Sequence, residues 1–114
     1  MIVRGKDVEA KRVENPRGGH GSLLNMGYSA MSEFSGNIGM FSVVNLNPDS
    51  SIGFHKHEDD MEIYFMLDGT GVVNDNGVED LLYAGDLLIT KKGEGHSIEN
   101  KSGTDITFLA MIIK

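Results

Sequence analysis

The chain of 114 residues contains no cysteine and no tryptophan, only two prolines, and ten basic residues against seventeen acidic ones. Without cysteine there is no disulfide, no thiolate zinc site and no iron–sulfur cluster, so any bound metal must be held by imidazole and carboxylate. The net charge of −7 argues against a nucleic-acid partner, because affinity for a phosphate backbone rests on clustered Lys and Arg. Lys91-Lys92 is no more than a pair. Residues Met1 to Asp7 carry no apolar run of the signal-peptide type. The longest apolar stretch, Ile106 to Ile113, is interrupted by Thr107 and is far too short to span a bilayer. These absences predict a soluble, cytoplasmic protein with no nucleic-acid and no membrane partner. The length suits one domain with a core that needs no covalent staples.

Glycine, by contrast, is abundant. Fifteen glycines, with turn signals at intervals of about eight to twelve residues, predict many short strands. They are expected over Ile38–Leu46, Ile52–His57, Met61–Leu67, Val72–Asn74, Val78–Tyr83, Leu87–Thr90, His96–Asn100 and Asp105–Ile113. Asn76-Gly77 has the composition of a two-residue hairpin turn, in which both positions need a positive φ. Asp7 to Val13 fits either a helical turn or a strand, and Asn15 to Gly21 reads as a loop. Met40, Met61, Met66 and Met111 fall in strands, where a flexible thioether fills irregular gaps. Short antiparallel strands at this density mean an all-β sandwich or closed barrel.

The chemistry is concentrated in two stretches. Strand side chains alternate between faces, so His55 and His57 share one face while Phe54 and Lys56 take the other. Glu58-Asp59-Asp60 reads as a solvated turn, any one of whose carboxylates is available as a base near a metal. The reversal brings Glu62 back beside the histidines, with Tyr64 and Met66 on its face and Met61, Ile63, Phe65 and Leu67 opposite. His96, Ile98 and Asn100 form a third stripe. A lone strand histidine is usually an ordinary hydrogen-bonded residue. Three imidazoles and a carboxylate together make a donor set suited to one divalent Mn, Fe, Co, Ni or Zn ion. An octahedral ion would keep about two positions open for water or substrate. Tyr64 is a weak catalytic candidate, able to donate a proton or to fill the core with its hydroxyl satisfied. Arg17 and His20 lie in a glycine-rich loop that either folds over the barrel mouth or stays solvated. In the first case Arg17 has the fork geometry to clamp a carboxylate.

The same stretches resemble the two motifs of the cupin superfamily, G-x5-H-x-H-x3,4-E-x6-G and G-x5-P-x-G-x2-H-x3-N. His55, His57, Glu62 and Gly69 fit the first, and Gly85, Gly93, His96 and Asn100 fit the second. There are two departures: Asp49 stands at the leading glycine of the first motif, and Lys91 at the proline of the second. Both positions govern turn shape rather than ligation. The match runs from about Phe41 to Ile113, in the manner of small, single-domain, oxalate-decarboxylase-like cupins.

The resemblance implies a double-stranded β-helix, or jelly-roll, barrel over residues 37–114. Residues 1–36 would be an N-terminal segment of loop and edge strands packed on it, in one structural domain. It also implies a metal inside the barrel, held by His55, His57, Glu62 and His96, and often a homodimer. The apolar stripe Ile63, Phe65 and Leu67, with a final strand apolar on both faces, independently calls for a cover over the outer face. That cover is a second copy or, alternatively, the N-terminal segment or second sheet of the same chain. Functionally, the resemblance implies a metalloenzyme acting on a small organic acid or sugar-like substrate, as decarboxylase, dioxygenase or isomerase. The alternatives are a non-catalytic metal- or sugar-binding or sensing barrel, and a purely structural metal.

Overall fold

Turn residues in the left-handed region cut the chain into short antiparallel strands, as seen in a computed structural model that describes residues 1–114. The strands are β1 (Ala10–Glu14), β2 (Ser22–Gly27), β3 (Ile38–Leu46), β4 (Ser50–Lys56), β5 (Met61–Asp68), β6 (Gly71–Asp75), β7 (Val78–Leu82), β8 (Leu87–Thr90), β9 (Gly95–Asn100) and β10 (Ile106–Ile113), with one short helix, α1 (Ser29–Phe34), before β3. The reversals are made by Asp49 (φ 55°), Gly69 (89°), Asn76-Gly77 (49° and 99°), Gly85 (92°) and Gly93 (87°). Asp75 pairs with Val78 across Asn76-Gly77, which is the two-residue hairpin expected from that dipeptide. Asp49 occupies the position of the motif glycine because aspartate is one of the few other residues that tolerate this backbone region.

Six strands form one sheet in the order β1-β2-β3-β10-β5-β8, and four form the other in the order β4-β9-β6-β7. The two sheets make the jelly-roll barrel of the cupins. No helix is long and apolar enough to cross a membrane. Edge strands were expected somewhere in residues 1–36, but the place of β2 and the existence of α1 were not. The segment Asp7 to Val13 resolves into a single turn at Gly5–Asp7 followed by β1, and β2 and α1 fill what composition left blank. Leu23 and Leu24 are consecutive apolar residues, so β2 lacks the alternation by which a strand is recognised.

Register decides what each face of the larger sheet carries. On the inner face, Met40, Ile112, Glu62 and Thr90 lie in one row across β3, β10, β5 and β8. Ser42, Ala110, Tyr64 and Leu88 form the next row, and Asn25, Val44, Phe108 and Met66 run from β2 to β5 in the row after that. Leu46, Met66, Ile98, Ile106 and Phe108 are fully buried between the sheets, each contributing about 1.5–3 kcal/mol by leaving water. Ser42 Oγ is a buried side-chain polar atom without a hydrogen-bond partner.

The outer face carries Met26, Val43, Leu109, Phe65 and Leu87 in one row and Phe41, Met111, Ile63 and Ile89 in the next. All nine are apolar. The N-terminal strands join this sheet at its β3 edge and α1 packs against β3, while Phe65, Leu67, Leu87 and Ile89 remain exposed.

The loop between β1 and β2 crosses over β4 as a strap. His20 O accepts from Ser51 N (2.8 Å), His20 N donates to Ser51 Oγ (3.1 Å), and Ser22 N donates to Ser50 Oγ (2.9 Å). The approach is so close that a Cβ on Gly53 would overlap the carbonyl oxygen of Arg17, and one on Gly19 would overlap that of Ser51. Gly53→Ala therefore has to lift the strap. The expected loss is about 1–3 kcal/mol in urea denaturation. Gly103→Ala, with nothing near the added methyl, should leave the midpoint in place.

Candidate metal centre

The four predicted side chains meet where the two sheets face each other. His55 lies on β4 directly opposite His96 of β9, and Glu62 projects from the inner row of β5 in the other sheet. A register irregularity between Ile52 and His55 re-aims the end of β4 toward this point. His57 falls one residue beyond β4, yet its backbone is pinned. His57 N donates to Glu94 O (3.0 Å) and Gly93 N donates to His57 O (2.6 Å), so the loop of the second motif holds the last histidine of the first. Lys91, in place of the motif proline, uses the N–H that proline would lack, donating to Glu94 Oε1 (2.9 Å) to close that loop.

The tautomers follow from the partners. His55 Nδ1–H donates to the Gly53 carbonyl (2.8 Å) and His57 Nδ1–H to Asp60 Oδ1 (2.8 Å); both acceptors have no proton to give. His96 Nδ1 lies 2.7 Å from Thr90 Oγ1, a hydroxyl that has the capacity to accept from it as well as to donate. Every Nδ1 is therefore engaged outward, and the Nε2 lone pairs are left facing one another. His57 Nε2 and His55 Nε2 are each 3.2 Å from His96 Nε2. Glu62 Oε1 lies 2.9 Å from His96 Nε2, 3.0 Å from His57 Nε2 and 3.9 Å from His55 Nε2.

All four ligand atoms lie within 4.8 Å of one another. Donors about 2.1 Å from a common ion in octahedral geometry are about 3.0 Å apart along each edge, against about 3.4 Å in a tetrahedron. Four of the six pairwise separations, 2.9 to 3.2 Å, fit the octahedral edge. Stripped of a cation, adjacent lone pairs at these distances would repel. The residues thus fit a divalent metal in donor chemistry and in spacing.

Burial tunes the charges. Desolvation by itself would push the Glu62 carboxyl up, but the His55 and His96 side chains and the positive charge available to His96 and His57 hold it at about 2. Burial lowers the His96 imidazole below 6.5, against the pull of Glu62. Glu62 is then anionic and His96 neutral at pH 7, the forms a metal needs. Burial, reinforced by the charge of Glu62, pushes the Tyr64 phenol well above its usual 10. Tyr64 stacks on His96 with ring centroids 4.7 Å apart and stays protonated.

The remaining candidates separate cleanly. A cavity of about 260 Å³ opens beside the centre, lined by His55, Glu62 and Tyr64 at one end and also by Arg17 of the strap. The loop does pack against the barrel, over β4, and Arg17 lines the cavity. His20 does not: its Nδ1 is 2.7 Å from Asp49 O and its Nε2 3.6 Å from Glu99 Oε2, on the exposed outside. Among the turn acids, Asp60 alone reaches a histidine; Glu58 and Asp59 are exposed. Asp60 and Thr90 are the site residues that sequence reasoning did not single out. Inward parity on β8, in the row of Glu62, was the one available signal for Thr90.

A small jelly-roll barrel with three histidines and one glutamate converging between its sheets defines a class of protein, and the comparisons with known proteins agree with it. A model of the cupin domain matches residues 42–112; the chain belongs to the cupin family. It is 42% identical over 113 residues to an oxalate-binding protein of Thermotoga maritima, covering 99% of this chain and 93% of that one. It is also similar to the crystal structure of a "predicted oxalate decarboxylase" of Thermotoga maritima, with a TM-score of 0.93, 42% identity, and coverage of 99% and 98%. A sugar phosphate isomerase of Silicibacter pomeroyi shares the fold at a TM-score of 0.80 and 18% identity, over 100% of this chain and 76% of that one.

The buried carboxylate makes acid stability a test of the site. Because the folded pKa of Glu62 (about 2) lies below the 4.5 of a free glutamate side chain, its contribution is complete above about pH 4.5. It is lost as pH falls toward 2, and amounts to about 3 kcal/mol. Urea midpoints of the metal-free chain should fall across that window, and Glu62→Gln should flatten the fall.

Proposed function

We propose that His55, His57, Glu62 and His96 hold one divalent transition metal (Mn, Fe, Co, Ni or Zn) and that the chain uses it to bind and act on a small organic acid. The observation that carries this reading is the outward engagement of each Nδ1, which leaves the Nε2 lone pairs and one carboxylate oxygen aimed at a common point. When bound, the metal supplies a Lewis acid that polarises a carboxylate or carbonyl and presents open positions for it. Glu62 cancels one of its two charges while the histidines stay neutral, so the centre keeps a net positive charge that favours an anionic ligand. Asp60 and Thr90 orient two of the imidazoles. Tyr64, protonated at the cavity wall, is placed to donate a hydrogen bond or a proton.

The names of the relatives, oxalate-binding protein and predicted oxalate decarboxylase, support an acid over a sugar. So does the cavity, whose wall offers few partners for several hydroxyls. A non-catalytic binding role is the second reading. Following carbon dioxide or product release from bound acid separates the two.

Elemental analysis of the purified protein and a manganese titration followed by electron paramagnetic resonance test the metal. His96→Ala should weaken binding by at least about 100-fold, and Asp60→Ala by about 10- to 100-fold through the lost support of His57. Affinity for manganese should also fall as pH is lowered, because protons compete with the metal for imidazole and carboxylate. Unchanged binding by His96→Ala would remove it from the ligand set.

The outer face of the larger sheet supports a second proposal, a homodimer in which this face packs on that of a second copy. Two adjoining rows of apolar side chains, with Phe65, Leu67, Leu87 and Ile89 exposed, form a contiguous apolar patch of the kind that marks a protein contact. Sedimentation should give a dimer at micromolar concentration. The double variant Phe65→Lys, Leu87→Lys should sediment as a folded monomer.

A further inference from the structure

The cavity is built asymmetrically. At one end are His55, Glu62 and Tyr64. The rest of the wall is mostly the inner face of the larger sheet, with Val13, Leu23, Met40, Val44 and Ile112 in its lining and Ile52 from the smaller sheet. Register explains why the change is abrupt: Ile112 and Met40 follow Glu62 in the same row of the sheet. Outside the centre, the polar side chains of the lining are Arg17 and Asn25. At about 30 Å³ per water, the 260 Å³ of space corresponds to roughly eight or nine water-sized volumes. A two-carbon diacid fills less than that, and its charged ends gain nothing from an aliphatic wall.

Arg17 is the one cation lining this cavity. It forms no salt bridge, although the chain has seventeen acidic residues. Its backbone is held in the left-handed region (φ 54°), as is that of Asn15 (φ 48°), with Pro16 buried between them. The strap is locked by the close approach of Arg17 O to Gly53. Non-glycine residues persist in such conformations where the surrounding structure over-determines them, and these places cluster at ligand clamps.

We infer that the site takes an organic acid with an apolar body of about three to six carbons, its carboxylate lodged between the metal centre and Arg17 and its tail against Val13, Leu23, Met40, Val44 and Ile112. The inference rests on the reading of the four ligands as a metal centre and narrows the ligand of that centre. Arg17 is its specificity-determining cation.

Calorimetry on manganese-loaded protein, with metal occupancy checked by electron paramagnetic resonance, compares oxalate, pyruvate and 4-methyl-2-oxopentanoate. The branched acid is expected to bind at least about tenfold more tightly than pyruvate or oxalate, from the extra carbons buried. Arg17→Gln should weaken all three by about tenfold or more while leaving manganese affinity unchanged. Val13→Trp, on a half-exposed edge strand that tolerates bulk, should abolish the preference for the branched acid and leave pyruvate binding intact. Equal or weaker binding of the branched acid on manganese-loaded protein overturns the inference while the metal reading stands. So does an Arg17→Gln variant with unchanged acid affinity, or a tail preference that survives Val13→Trp. Failure of the chain to hold manganese overturns both.

Discussion

The interaction on which this structure turns is the hydrogen bond each histidine makes away from the centre. An imidazole has two nitrogens, and engaging Nδ1–H outward commits the Nε2 lone pair inward. Gly53 O, Asp60 Oδ1 and Thr90 Oγ1 do this for His55, His57 and His96. Their origins differ: a backbone carbonyl of the same strand, a turn carboxylate and a hydroxyl of the opposite sheet. Both sheets must therefore be in register before the donor set exists, and a slip of one residue in β5 or β8 would turn Glu62 or Thr90 to the outer face. Folding and site assembly are the same event.

The turns that allow this register also account for the departures from the family motifs. Asp49 takes a left-handed conformation that glycine would otherwise supply, and Lys91 replaces a rigid proline with a hydrogen bond to Glu94. In both cases the geometry of the reversal is retained by different chemistry. Gly53, outside the motif position, cannot be replaced cheaply, because another segment of backbone occupies the space of its side chain, as is true of Gly19 on the strap itself. That contact ties the strap to β4 next to His55, so the position of Arg17 and the position of a metal-centre histidine share one support.

Alternation made much of this legible before any coordinates. Period-two parity put His55, Glu62 and His96 inward and Ile63, Phe65 and Leu67 outward, and Asn76-Gly77 announced its hairpin. What stayed hidden was whatever depends on contacts between segments distant in sequence. Nothing in Glu58-Asp59-Asp60 distinguishes Asp60 until His57 is fixed by the backbone of Gly93 and Glu94. Nothing in Thr90 marks it until β8 pairs with β5. His20 and Arg17 looked alike in a glycine-rich loop, and only docking of the strap sent one to the cavity and the other to the surface. The strand β2 escaped notice because Leu23 is needed inside, and Leu24 belongs to the opposite, half-buried face.

The donor set and the cavity wall answer different questions. Three imidazoles and a carboxylate define which ions fit and leave a positive centre, but many reactions run on that same constellation, and the fold hosts several of them. Selection among acids falls to the surfaces beyond the ligands, where burial of each methylene and satisfaction of each charge differ between one substrate and the next. Here those surfaces come from β1, β2, β3 and β10 together with the strap. These elements contribute no donor to the centre, and β1, β2 and the strap precede the stretch that carries the family motifs. A barrel that keeps its four candidate donors on β4, the residue after it, β5 and β9 is free to vary that wall without disturbing the hydrogen bonds that orient the histidines. The selectivity proposed for the chain accordingly rests on residues of the wall and the strap, and the proposed metal chemistry on the four side chains of the centre.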